Sequence, residues 1–166
     1  MTPTEAQGLM NPNRQKGILL DTNLLLLLWV GRWNPKMIAH HKRTVQFDQS
    51  DFEMLERFVA TFQRVVVTPS ILTESTNLIR QHRNRRDISA TLIEQITPLD
   101  ERFRPSVEVI GETAFVPLGL TDAGIITQAR DGWLVLTVDF DLVNALNAEG
   151  LNVLNFFHLI SQTDDS

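Results

Sequence analysis

The chain has 166 residues, 43% hydrophobic and 21% charged, which suits one domain with a core large enough to need no staples. Lys and Arg number 15 against 20 Asp and Glu, a net charge of −5, so any nucleic-acid partner must be met by a local basic patch rather than a basic coat. With no cysteine there are no disulfides, no thiolate metal site and no thiol nucleophile, in keeping with a cytoplasmic location.

No apolar run approaches the roughly 20 residues that a membrane span requires, and the polar start of the chain lacks the basic and apolar segments of a signal peptide. Residues 1–16 are expected to be a frayed lead-in, 17–160 a single domain and 161–166 an acidic tail.

Residues 18–20 (Ile-Leu-Leu) read as a short buried strand that ends abruptly at Asp21. Ligands of open parallel sheets sit beyond the carboxyl ends of strands, which makes Asp21 a candidate site residue. The competing reading is that Asp21 caps the next helix, since Asp, Thr and Asn all do so well. That helix opens at Thr22 or Asn23, is leucine-rich and buried on most sides, and is expected to stop near Val30 at Gly31. Residues 32–49 have no clear period and read as a loop or short irregular helix, with His40 and His41 solvated. Residues 50–64 read as an amphipathic helix with a Ser50–Glu53 capping box.

Residues 65–67 (Val-Val-Val) are a second strand, after which Thr68 and Pro69 start a helix carrying Glu74 about one turn in. Taken alone, Glu74 is an exposed residue favoured near a positive helix N-terminus. Residues 80–86 hold four arginines, Arg80, Arg83, Arg85 and Arg86, and form a candidate phosphate-contacting patch or a solvated helix end. Helical spacing resumes over 87–96, whereas 99–116 is either irregular or contains a short strand at 107–110. Thr121 is the expected cap of another helix with Asp122 in its first turn. Residues 133–137 are a third strand, followed at once by Asp139 and Asp141, then a helix from about Phe140 to Gly150. A last strand at 151–154 and a terminal turn or short helix at 156–160 complete the chain.

Strands alternating with helices imply a mostly parallel sheet sandwiched by helices, and right-handed crossovers bring all strand carboxyl ends to one edge. Asp21, Glu74, Asp122 and Asp139 are therefore expected on one rim, with Asp141 a further candidate there. Such a cluster repels itself by several kcal/mol in a partly buried cleft unless a cation intervenes. Oxygen donors suit Mg²⁺ or Mn²⁺, while the lack of Cys and of a suitably spaced His argues against zinc. No Gly-rich phosphate loop competes.

Leu20-Asp21-Thr22-Asn23, the run 68–74 ending in Glu74, Leu120-Thr121-Asp122-Ala123 and the run 136–142 around Asp139 resemble, in order and spacing, the successive motifs of the PIN-domain family. The resemblance spans residues 17–158. It implies a three-layer α/β/α sandwich and a Mg²⁺- or Mn²⁺-dependent endoribonuclease acting on single-stranded RNA. The family's four acids fall on Asp21, Glu74, Asp122 and Asp139, with Asp141 as a helper ligand and Asn23 or Thr137 supporting them from behind. Arg80, Arg83, Arg85 and Arg86 are then candidates to hold the RNA. The family includes VapC-type toxins, often dimeric and paired with a small antitoxin, although residues 32–49 and the stretch from Glu74 to Asp122 are longer than expected of a small toxin. Two alternatives stand beside this reading. One is a module that binds RNA or protein without cutting. The other is a phosphohydrolase with Asp21 as nucleophile, which expects an aspartate where Asn23 stands.

Overall fold

The computed structural model describes residues 3–81 and 84–163. Five strands, β1 (Ile18–Leu20), β2 (Val65–Val67), β3 (Asp100–Glu101), β4 (Leu134–Thr137) and β5 (Val153–Asn155), form one sheet in the order β3-β2-β1-β4-β5, with every pair parallel. The helices, in chain order, are α1 (Pro3–Asn13), α2 (Thr22–Trp33), α3 (Gln49–Val59), α4 (Pro69–Arg80), α5 (Arg85–Ile96), α6 (Ser106–Val109), α7 (Phe115–Leu118), α8 (Leu120–Arg130), α9 (Phe140–Ala148) and α10 (Phe156–Thr163), with a 3₁₀ helix at Pro35–His40.

The two-residue repeat of a strand splits the core into two halves, one on each face of the sheet. Ile18 and Leu20 of β1 join Leu134 and Leu136 of β4 on one face, where Phe52, Leu55 and Val59 of α3 and Phe156 of α10 cover them. Leu19 and Val135 point the other way, under Ile71 and Ile79 of α4, Ile125 and Ile126 of α8 and Leu142 of α9. The result is a three-layer α/β/α sandwich, as the alternation of elements requires. Helix α2 feeds both halves, Leu24 and Leu28 into one and Leu25 and Trp29 into the other. Its unbroken apolarity thus has a packing reason. No described helix is long and apolar enough to cross a membrane.

Several boundaries differ from the sequence expectation. The lead-in is helical from Pro3, because Leu9 and Met10 pack on the core and Asn13 is buried, its Nδ2 donating to the Leu9 carbonyl at 2.8 Å. Helix α2 does not stop at Gly31 but runs on to Trp33, where Asn34 ends it. At Gly31 the absent side chain admits the Phe52 ring, so the glycine serves a helix crossing rather than a terminus.

The capping box of α3 is Asp48 with Asp51, not Ser50 with Glu53. Ser50 donates its hydroxyl to Asp48 at 2.6 Å instead, and the helix ends at Val59, although Phe62 in the following turn still enters the core. His40 is exposed, but His41 is buried, contrary to expectation. Residues 106–109 are helical, and a two-residue edge strand, β3, precedes them unforeseen. Helix α8 begins at Leu120 with Gly119 at its cap, at φ 90°, so Thr121 lies inside the first turn. The expected tail begins inside α10, which runs to Thr163; Asp164 and Asp165 lie outside the described residues.

Candidate active site at the switch in strand order

From β1 the chain steps outward through β2 to β3, then crosses back to place β4 on the other side of β1. A crevice opens beyond the carboxyl ends of the two strands where the order reverses, here β1 and β4. Asp21 follows β1 directly and Asp139 lies two residues past β4.

Asp21 is 4% exposed and both of its carboxylate oxygens accept hydrogen bonds. Oδ1 accepts the Leu24 N–H at 2.8 Å, capping α2, while Oδ2 accepts the Val138 N–H at 3.2 Å and the Thr137 hydroxyl. The cap and the site residue are thus the same group. Burial pushes its pKa up to about 6, although Thr137, Leu24 and Val138 all pull the other way and nearby Asp139 adds to the rise. The fully buried Thr137 hydroxyl also accepts the Asp139 N–H at 2.9 Å, so one side chain sets both acids. Asp139 caps α9 through Oδ1, which accepts the N–H groups of Asp141 at 2.8 Å and Leu142 at 3.1 Å.

Glu74 projects from α4, half-buried, with Oε2 accepting the Thr22 hydroxyl at 3.2 Å. Asp122 comes from the first turn of α8. Its pKa is raised to about 7, first by burial and then by the charges of Asp139, Asp21 and Glu74 in that order. Each of those three acids is therefore near enough to Asp122 to oppose its ionisation. All four line one cleft of about 280 Å³, together with Asn23, Thr22 and Arg43.

The structure brings Asp21, Glu74, Asp122, Asp139 and Asn23 to this cleft and puts Thr137 directly behind it. It does not bring Asp141, whose side chain is exposed on α9 outside the lining of the cleft, because the cap at Asp139 turns the chain away. Arg80 is exposed at the end of α4, and Arg85 and Arg86 line a separate hollow with Asn84 and Asp87. Arg83 lies outside the described residues. Two residues of the site were missed from sequence: Thr22, which fixes Glu74, and Arg43, which lines the cleft from the segment read as a loop or short irregular helix.

Among the described residues, no three Asp, Glu or His side chains are arranged to hold a metal ion as they stand. Carboxylates without a counter-ion repel, and that repulsion adds to burial in raising the pKa of Asp122. The donor set nevertheless fits a hard divalent cation: four carboxylates and an amide oxygen, with no cysteine in the chain and no histidine among the described residues lining the cleft. No known family model matches the chain, and no curated protein matches it.

Proposed function

We propose that the chain is a PIN-like, Mg²⁺- or Mn²⁺-dependent endoribonuclease that hydrolyses phosphodiester bonds of single-stranded RNA. The observation that carries this reading is the convergence of Asp21, Glu74, Asp122 and Asp139, from four separate elements, on one cleft at the switch in strand order. In that reading Asp21, Asp122 and Asp139 hold the ion and Glu74 holds it or orients the attacking water. When bound, the ion supplies a Lewis acid that lowers the pKa of water and offsets the charge developing on phosphorus.

The chain's own residues do the rest. Asp21, with both oxygens committed to N–H and O–H donors, is a fixed anionic wall that cannot swing away as substrate enters. Glu74, whose Oε2 accepts the Thr22 hydroxyl, has in Oε1 an oxygen with no hydrogen-bond donor among the described residues, which can accept a proton or a hydrogen bond from water. Asp122, whose pKa burial and its acidic neighbours raise to about 7 in the metal-free cleft, would release its proton on taking the ion. On the family resemblance, the proposal extends to a toxin role with a small antitoxin and a second copy as partners.

The test is a labelled single-stranded RNA incubated with the purified chain and Mn²⁺. Cleavage is expected, is abolished by EDTA, and falls by on the order of a hundredfold or more in Asp21→Asn and Asp139→Asn. Undiminished cleavage by Asp21→Asn sinks the assignment. A second reading, binding without cutting, is favoured by the lack of a ready-made three-ligand set among the described residues. Calorimetric titration with Mn²⁺ separates the two, because a chain that takes up no ion at this cleft supports the binding role.

A further inference from the structure

Resting on that reading, we propose that Arg43, assisted by Lys42, grips the backbone phosphate next to the bond that is cut. The electrostatic difficulty is plain. A cleft with four carboxylates, in a chain of net charge −5, repels the phosphodiester it must admit. Arg43 is the one Lys or Arg among the described residues lining that cleft. The adjoining hollow shares Asn23, Arg43 and Asp139 with it and adds Lys42 and Gln46, so the trough runs from the acids directly over two cations.

The loop presenting these cations is pinned. His41, Thr44 and Phe47 are buried, with Thr44 fully so, while Lys42, Arg43, Val45 and Gln46 face outward. The Thr44 hydroxyl donates to the Ile38 carbonyl at 2.7 Å, His41 Nδ1 accepts the Arg43 N–H at 3.2 Å, and Phe47 stacks on Phe157 with ring centroids 5.7 Å apart. An anchor at every third residue holds the backbone under the two cations, so binding orders their side chains but not the loop itself. Solvated loop cations need no such footing.

Several other arginines are already committed: Arg32 to Glu56, Arg104 to Asp131, and Arg130 to both Glu112 and Glu149. Arg43 forms no ion pair among the described residues. A guanidinium can hold two phosphate oxygens at once, and Lys42 adds a point charge beside it.

The experiment measures binding of a labelled single-stranded RNA in EDTA, across a salt series, and cleavage kinetics in Mn²⁺. The proteins are wild type, Arg43→Ala, Arg43→Lys and, as control, Arg57→Ala on the exposed side of α3. Arg43→Ala is expected to bind about tenfold more weakly or worse, and to lose about 0.7 from the slope of log affinity against log salt. Its KM should rise far more than its kcat falls. Arg43→Lys should keep the slope and regain part of the affinity, which a merely structural role for Arg43 does not predict. Arg57→Ala should match wild type. If Arg43→Ala binds with wild-type affinity and slope, the grip is overturned and cleavage by wild type still stands. If wild type binds but never cuts, the nuclease reading falls while the salt slope still judges Arg43. If wild type does not bind RNA, both fall.

Discussion

Two threonines at this site do what carboxylates cannot do for themselves. Asp21 and Asp139 both follow strands and cap helices, but the Thr137 hydroxyl joins them, donating to Asp21 and accepting from the Asp139 backbone. Thr137→Val keeps the shape and removes both bonds. It is expected to cost about 1–2 kcal/mol, since a buried carboxylate loses a donor and an N–H loses its acceptor, and to lower activity by about 10–100-fold. Urea denaturation and the cleavage assay check the two halves, and a variant with wild-type stability and rate removes Thr137 from the site. Asp21, Asp139 and Thr137 were legible in the sequence because each sits at the end of an apolar run, where a parallel sheet fixes its location. The bond from the second threonine, Thr22, to Glu74 was not, since it joins residues 52 apart through the packing of α2 against α4. Arg43 was illegible for a related reason. Its loop is anchored by His41 and Thr44, polar side chains whose burial leaves no mark on an apolar pattern.

At the scale of elements, apolar spacing identified strands and helices, while their ends depended on contacts the spacing does not contain. Ser50 and Glu53 have the right separation for a capping box, yet Asp48 accepts hydrogen bonds more strongly and starts α3 two residues earlier. Gly31 read as a stop and is instead a point of close approach. A methyl group there would intrude on the Phe52 ring, which is buried between α2 and α3. In the last turn of α2 alanine gains at most about 1 kcal/mol in helix propensity over glycine, against an overpacking cost of about 1–3 kcal/mol. Because the methyl group would lie within 2.6 Å of three atoms of a rigid, buried ring, overpacking outweighs the gain in propensity. Gly31→Ala is therefore expected to lower the denaturation midpoint, and adding Phe52→Leu should recover part of the loss, more than the two single changes allow by addition. A Gly31→Ala protein more stable than wild type would mean that the two helices can slide apart freely.

For the whole molecule, the acid cleft makes stability depend on pH in a direction opposite to the usual carboxylate. Asp21 and Asp122, ordinarily 3.8, are raised to about 6 and about 7. The folded chain therefore holds these protons more tightly than the unfolded chain. Between the ordinary value and about 7, stability falls as pH rises, and above that window the penalty is complete. Asp48 and Glu149 are shifted down and act the other way, but they are exposed, and their contribution is lost only on acidification through the ordinary carboxylate range. The metal-free protein is accordingly expected to melt several degrees lower at about pH 8 than at about pH 5. Asp122→Asn removes the charge on which the other three acids press, so it should raise the melting temperature at the higher pH and flatten the pH dependence. Mn²⁺ should raise the melting temperature of wild type more at the higher pH, where protons no longer compete for the carboxylates, and should raise that of Asp122→Asn much less. Thermal melts in EDTA and in Mn²⁺ across the pH range read all of this without any substrate. A metal-free protein that grows steadily more stable from about pH 5 to about pH 8, with Asp122→Asn no better than wild type, would mean that neither burial nor the neighbouring acids hold protons on Asp21 and Asp122.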